Sequence, residues 1–446
     1  MKRFAARMAW LAALAALSVP MFALTPPFAR GPYTGAPGAD SVVVSWVISP
    51  SLPATLEVAR VASFAVQPTA ATLRLSVSAP EADAKGQIHA LVEGLAPGSS
   101  YVYRVVVQSG SETFASPIGC FRTAPPSGAP VNFAVLADTQ WQWEGPNRLA
   151  SIGSAIAFDA ARLGGFDFLL HVGDLVETPH SLYWDHWFGS FESMLLAAPF
   201  LPVLGNHEKN SRTYYDAFAL PPGEGLRDEQ WWVFRWGDLV VVGLDTNVTR
   251  ADRILEQQEF ARRELSEAAR HKFVMFHHPV WSSDAYHGSG WSYDVIYHPI
   301  FVETGVDIVF NGHAHNYERI ERDGIVYLVV GGGGAVPREL AAERVEGSVI
   351  AVEGRNFYAR VATSRRGIAV EVVSIAEATE TTFRLTAGEV LDAFTLAEPL
   401  EPEPDSRPEI EAPNDGEPAA HSMPLALVLG LIALAAAAWA LLRARP

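Results

Sequence analysis

The chain has 446 residues, 49% hydrophobic and 19% charged, with 50 Asp+Glu against 33 Lys+Arg and a formal net charge of −17. That much apolar material excludes wholesale disorder, and an acidic chain with no basic block is ill suited to grasping a nucleic-acid backbone. A lone Cys120 excludes an intrachain disulfide and a cysteine-based zinc cluster, and no disulfide-linked oligomer is expected. Any metal must therefore be held by His, Asp, Asn or Glu.

Residues 1–23 run from Lys2, Arg3 and Arg7 through an apolar stretch, Met8 to Val19, to small residues near Ala23. This is the layout of a secretory signal peptide, with an uncleaved N-terminal anchor as the alternative. From 24 to 126 come short β-rich runs punctuated by turn residues: SVVVSWVIS, ATLEVARV, TLRLSVS, IHALVEGL, SYVYRVVVQSG and CFRTA. They predict an all-β sandwich. Cys120 reads as a small buried hydrophobe on its last strand, and residues 123–130 read as a hinge.

Residues 127–397 carry the chemistry. Five apolar runs of strand length each stop at polar residues able to bind metal. Val131–Ala137 leads to Asp138-Thr139-Gln140, and Phe168–Val172 to Gly173-Asp174. Phe200–Leu204 leads to Gly205-Asn206-His207-Glu208, Phe273–Phe276 to His277-His278-Pro279, and Ile308–Phe310 to Asn311-Gly312-His313-Ala314-His315. Helical spacing recurs near Ile152–Leu163 and over Ile254–Arg270, where Leu255, Phe260 and Leu265 are the apolar positions. Strands alternating with helices imply a largely parallel α/β sheet, whose ligands bind beyond the carboxyl ends of its strands.

Asp138, Asp174, Asn206, His277, His313 and His315 then converge, with Gln140, His207 and His278 nearby. These are borderline-to-hard donors, suited to Zn, Mn or Fe, and too many for one tetrahedral ion. A pair of divalent ions roughly 3.5–4 Å apart, with one carboxylate bridging, uses them all and activates water against a clamped phosphate. A GD, GNH or HxH alone is an ordinary turn; five in this order are not. His171 reads as a hydrogen-bonded strand residue, and Asp245 as a turn or ligand-orienting group. His180, His186, His287 and His298 read as surface or cleft-wall residues. Trp281, Tyr286 and Trp291 either wall the cleft or cover the sheet edge, and Gly331–Gly334 forms a tight turn near the site.

Residues 398–422, rich in Pro and acids, read as an extended linker. Within 423–446, Pro424 to Leu442 is uncharged and closed by Arg443 and Arg445, the pattern of a C-terminal transmembrane anchor or a processed sorting signal. The expectation is an exported protein at the extracytoplasmic face of the cell envelope, tethered to the membrane through that helix.

Asp138, Gly173-Asp174, Gly205-Asn206-His207-Glu208, His277-x-Pro279 and Gly312-His313-Ala314-His315-Asn316-Tyr317-Glu318-Arg319 resemble the calcineurin-like metallophosphoesterase superfamily, closest to its purple acid phosphatase group. The resemblance implies a metallophosphoesterase-type αββα sandwich preceded by a fibronectin- or Ig-like β-sandwich. It implies Asp138 and His315 on one ion, Asn206, His277 and His313 on the other, and Asp174 bridging. His207 would meet the substrate as clamp or proton donor, and His278 is a further candidate for substrate contact. The group's metal-binding Tyr, three residues after the bridging Asp, is replaced here by Glu177. The His that the wider superfamily places two residues after the first Asp is Gln140. Gln140, Glu177 or water is left to complete the first site, and without a phenolate a colourless pair of divalent ions is expected. The implied function is hydrolysis of small phosphate esters, mono or di. The alternatives are a nucleotidase or cyclic-nucleotide phosphodiesterase, and a non-catalytic surface binding protein.

Overall fold

Period-two burial along the N-terminal strands builds a sandwich. In 87–92, Ile88, Ala90 and Val92 are buried while His89 and Leu91 face out. The structure is a computed structural model that describes residues 27–48, 52–62, 75–78, 83, 86–141 and 148–397. The expected signal peptide, acidic linker and C-terminal anchor lie outside the described residues. Among those residues no helix is long and apolar enough to cross a membrane.

Eight strands come first: β1 (Phe28–Gly35), β2 (Val42–Ile48), β3 (Ala54–Val61), β4 (Leu75–Ser78), β5 (Gln87–Val92), β6 (Ser100–Ser109), β7 (Glu112–Ala115) and β8 (Gly119–Arg122). They form antiparallel sheets ordered β1-β2-β5 and β4-β3-β6-β7, with β8 also on β6. Trp46, Leu56, Tyr103 and Phe121 fill the space between them. Each of the six expected runs contains a strand among the described residues. β1 and β7 were not anticipated; β1 contains Gly-Pro and pairs with β2 through two register shifts.

Hydrogen bonds and an ion pair join the sandwich to the α/β domain. Tyr33 OH donates to Ala217 O (2.6 Å), Arg30 pairs with Asp185 (2.7 Å), and Cys120 N donates to Leu196 O (2.8 Å). Cys120 is thus half-buried at this junction, its Sγ on Ala197 O, and burial pushes the thiol up to about 11. The expected hinge is held at both ends. Ala124 N donates to Gly38 O (2.8 Å), and Gly128 N donates to Asp238 Oδ2 (2.6 Å).

Next come β9 (Val131–Leu136), α1 (Leu149–Leu163), β10 (Phe168–His171), α2 (Ser181–Leu195), β11 (Phe200–Pro202), α3 (Arg212–Ala217), β12 (Gly223–Glu224), β13 (Trp231–Trp236), β14 (Leu239–Gly243) and α4 (Ala251–Ser266). They are succeeded by β15 (His271–Met275), α5 (Tyr293–Ile296), α6 (His298–Thr304), β16 (Ile308–Asn311), β17 (Tyr317–Arg322), β18 (Ile325–Val330), β19 (Ser348–Val352), β20 (Arg355–Ser364), β21 (Gly367–Ala378) and β22 (Phe383–Ala397). Two mixed sheets result, β11-β10-β9-β20-β21-β22 and β12-β13-β14-β15-β16-β18-β17-β19. The largely parallel sheet expected from the strand–helix alternation is therefore corrected. Parallel pairing is confined to β9–β11 and to β14, β15, β16 and β18, and the later strands add antiparallel flanks.

The sheets pack face to face. Phe133 of β9 meets Phe273 and Phe310 of the second sheet edge-on at 5.5 and 6.4 Å. α1 and α2 contribute to this same core, while the far face of the second sheet is covered by Phe260 and Leu265 of α4 and Phe301 of α6. The result is four layers, helix–sheet–sheet–helix. α1 buries Leu149, Ile152, Ala155, Ile156 and Ala160 and ends at left-handed Gly164 (φ 84°). Leu255 departs from expectation. It lies about 140° round the helix from Phe260 and is 58% exposed.

Tyr33→Phe leaves a buried carbonyl unpaired at the junction, so unfolding free energy should fall by about 1–2 kcal/mol in urea titrations.

Candidate metal centre

Parallel strands all point their carboxyl ends one way, so residues just past β9, β10, β11, β15 and β16 share one edge of the sandwich. Asp138, Asp174, Asn206, His277, His313 and His315 meet there. Donor atoms of Asp174, His277 and His313 all lie within 4.8 Å of one another. His277 Nε2 is 3.0 Å from Asp174 Oδ2 and 3.2 Å from Asn206 Oδ1, and its Nδ1–H donates to Val172 O (2.8 Å), which turns Nε2 inward. His315 Nε2 is 3.4 Å from Asp138 Oδ1, with its Nδ1–H on Val336 O (2.9 Å).

Each aspartate gives one oxygen to a backbone amide and keeps the other for the site. His313 N donates to Asp138 Oδ2 (2.8 Å) and His207 N to Asp174 Oδ1 (2.9 Å). Asp138 Oδ1 is left buried with no hydrogen bond, facing His315 Nε2. Asp138, Asp174 and His313 also adopt left-handed backbone, φ 59°, 56° and 68°, at a cost of about 1 kcal/mol or more each. The strained turns aim the side chains off the strand ends. Close approach requires glycine beside them: a Cβ on Gly205 would collide with the Asp174 carboxylate, and one on Gly312 would sit 2.6 Å from Asp138 Oδ2.

Gln140 and Glu177 separate clearly. Gln140 Nε2 lies 3.1 Å from His315 Nε2 and 3.5 Å from Asp174 Oδ2, while its buried Oε1 has no partner. A half-turn of the amide exchanges the two atoms at the same shape and points oxygen into the cluster. Glu177 Oε2, also buried without a hydrogen bond, instead faces His207, 3.8 Å from Nδ1. Unpaired buried oxygens on Asp138 and Gln140, within a set of imidazole, carboxylate and amide donors, fit a pair of borderline-to-hard divalent ions. The electrostatics agree. Burial opposes the charged imidazolium of His277, but Asp174 outweighs it and raises the pKa to about 10, so a bound cation would have to displace that proton.

His207 Nδ1–H donates to Glu177 O (2.7 Å), leaving Nε2 3.8 Å from Asp174 Oδ2 on a side chain 28% exposed. Burial lowers its pKa, yet Asp174, the Glu177 carbonyl and the Glu177 carboxylate outweigh burial, and the net direction is upward. His278 is held neutral: burial and then His277 push it down to about 3. Thr246 Oγ1 accepts His278 N–H (3.2 Å) and lies 2.8 Å from His278 Nδ1, which fixes the orientation of the ring.

Four contributors were not singled out from sequence. Glu208, with no exposure, accepts backbone N–H groups from Asp174, Leu175, Val176 and Gly205, and burial pushes its carboxyl up to about 7. Thr139 Oγ1 gathers His171 Nε2 (2.9 Å), Leu175 O and Trp187 Nε1, so His171 is the bonded strand residue expected. The His287 ring lies 3.8 Å from that of His313, and Arg338 bonds to His287. Glu208 and Thr139 stood beside the ligands in their motifs, and His287 was read only as a surface or cleft-wall residue; nothing in the spacing pointed to Arg338. Asp245 accepts Gln230 and Asn247, and Asn247 Nδ2 also donates to Gly205 O, bracing the loop before Asn206. Trp281 packs on Tyr327 at 4.8 Å and covers the sheet, whereas Tyr286 and Trp291 are exposed. Gly333 N donates to Ala137 O and Ala335 N to Asp138 O, which puts the glycine turn under the site as expected.

Residues 131–317 match the calcineurin-like phosphoesterase family. Purple acid phosphatase 15 of Arabidopsis thaliana is 28% identical over 285 residues, 55% of this chain and 53% of that protein. A purple acid phosphatase of Glycine max is 24% identical over 268 residues, 55% of each. The chain spans about half the length of the curated relatives it matches. A purple acid phosphatase from yellow lupin (Lupinus luteus) seeds shares the fold with a TM-score of 0.65 at 18% identity, over 82% of this chain and 74% of that one.

Glu208→Ala strands four backbone donors, and Glu208→Gln turns an amide N–H₂ toward them. Thermal denaturation should show losses of at least about 3 and about 2 kcal/mol respectively, and elemental analysis should find fewer bound ions in the alanine variant.

Proposed function

We propose, for a chain that belongs to the calcineurin-like phosphoesterases and groups with the purple acid phosphatases, that its site hydrolyses small phosphate esters on two divalent ions. The observation that carries this reading is the convergence of Asp138, Asp174, Asn206, His277, His313 and His315, with Asp138 Oδ1 and the adjacent Gln140 Oε1 buried and without a hydrogen bond. Asp138, His315 and Gln140 would hold one ion, Asn206, His277 and His313 the other, and Asp174 both. Such ions supply Lewis acidity toward a phosphate oxygen and toward attacking water. Glu177 offers no phenolate where the coloured enzymes have Tyr, so the pair is divalent and colourless: Zn, Mn or Fe(II).

The chain's own groups do the rest. His207, fixed through Nδ1 and open at Nε2, holds a proton for the departing alkoxide. His278 is the further contact offered to the phosphate, and its neutral state keeps it from repelling the cations. Sequence alone supports the cellular setting, export through residues 1–23 and tethering through 423–446.

Metal-stripped protein reloaded with Zn or Mn should hydrolyse p-nitrophenyl phosphate or bis-p-nitrophenyl phosphate, and Asp174→Asn should lose roughly 10²–10³-fold. No turnover with any ion contradicts the reading. His207→Asn should slow glycerol phosphate by roughly 10²–10⁴-fold yet p-nitrophenyl phosphate far less, because nitrophenolate leaves without a proton. The protonated imidazole is the active form, so the wild-type rate falls as pH rises through the His207 pKa. The variant lacks this alkaline limb.

A further inference from the structure

Arg338 lies just past the glycine turn after β18. Its backbone N–H donates to His315 O (3.1 Å), which ties the residue to a proposed ligand. Its guanidinium sits over the exposed Tyr286 ring, 4.5 Å from the centroid, and donates to His287 Nε2. The His287 ring in turn lies 3.8 Å from His313. The cation thus stands two imidazole rings from the proposed ligand cluster.

Most of the described arginines form an ion pair with a carboxylate; among the described residues no carboxylate comes within ion-pair distance of Arg338. An arginine has five N–H donors and no acceptor, and the bond to His287 uses one of them. The remaining fork matches a carboxylate or phosphate in two parallel hydrogen bonds. In a chain of net charge −17 this guanidinium, whose charge also reaches the Glu177 carboxylate, is the local attraction for an anion that the overall field repels.

We infer that Arg338 is a specificity-determining residue, which receives a second anionic group, carboxylate or phosphate, carried on the alcohol portion of the phosphate ester. The inference rests on the function proposed above. It selects esters with two separated negative groups over singly anionic ones of the same size, with Tyr286 holding the guanidinium ready.

The test uses a matched pair of non-hydrolysable phosphonates, propylphosphonate and 2-carboxyethylphosphonate, titrated calorimetrically into the zinc-loaded full chain. Wild type should bind the carboxylate analogue about tenfold more tightly. Arg338→Gln, with an unchanged thermal midpoint, should bring the ratio close to one. Arg338→Lys should give an intermediate ratio, because it keeps the charge and loses the fork, and it carries the comparison if the Gln variant does not fold. Equal affinities in wild type overturn the inference, as does an Arg338→Gln variant that weakens both analogues equally, which would place Arg338 on the scissile phosphate. If propylphosphonate fails to bind the loaded wild type, the phosphate-ester reading falls and this inference with it.

Discussion

Four backbone N–H groups, from Asp174, Leu175, Val176 and Gly205, converge on the carboxylate of Glu208, which has no contact with water. Three of these groups belong to the turn after β10 and one to the glycine that opens the turn after β11. The carboxylate therefore welds two strand-end loops into one body. Bare backbone donors at this depth would each carry a desolvation penalty, so the loops are stable only in the arrangement that satisfies them. That arrangement sets Asp174 against Asn206 and gives His207 N–H to Asp174 Oδ1. The left-handed backbone at Asp138, Asp174 and His313 is tolerable for the same reason. Local strain of this kind persists where surrounding hydrogen bonds leave no alternative.

The tail of the last motif makes a parallel connection. Glu318 accepts Ser283 N and Oγ and Ser348 Oγ, which fixes the loop that carries Tyr286 and His287. Tyr317 OH and Arg319 Nε both donate to Asp392 of β22. Strands that look remote from the chemistry thus buttress the segment that presents His313 and His315. On the opposite side the sandwich reaches α2 and α3 through Arg30 and Tyr33.

What was legible in the sequence was what repeats along the chain. Apolar runs ending in Asp, Asn or His marked β9, β10, β11, β15 and β16, because a parallel strand must be apolar throughout and must deliver its ligand at its carboxyl end. Hydrogen-bonded His171 and the glycine turn were legible too, for each sat within or beside such a run. Features set by partners distant in sequence were not. Leu255 matched the helical period yet faces water, because the neighbouring sheet reaches only the stripe of Phe260 and Leu265. Cys120 lies where the sandwich meets Leu196 and Ala197, a contact no local pattern encodes. Between Gln140 and Glu177 spacing could not decide; the geometry brings only Gln140 to His315. Arg338 emerged because its neighbours Tyr286 and His287 arrive from a segment about fifty residues earlier, along a path spacing cannot trace.

The central claim is a two-ion site bridged by Asp174. Its most direct test is crystallography of zinc- or manganese-loaded protein with anomalous data collected across the metal edge. The account predicts two anomalous peaks roughly 3.5–4 Å apart, with Asp174 between them, His277 and His313 on one and His315 with Gln140 on the other. A single peak, or two that do not share Asp174, would contradict it.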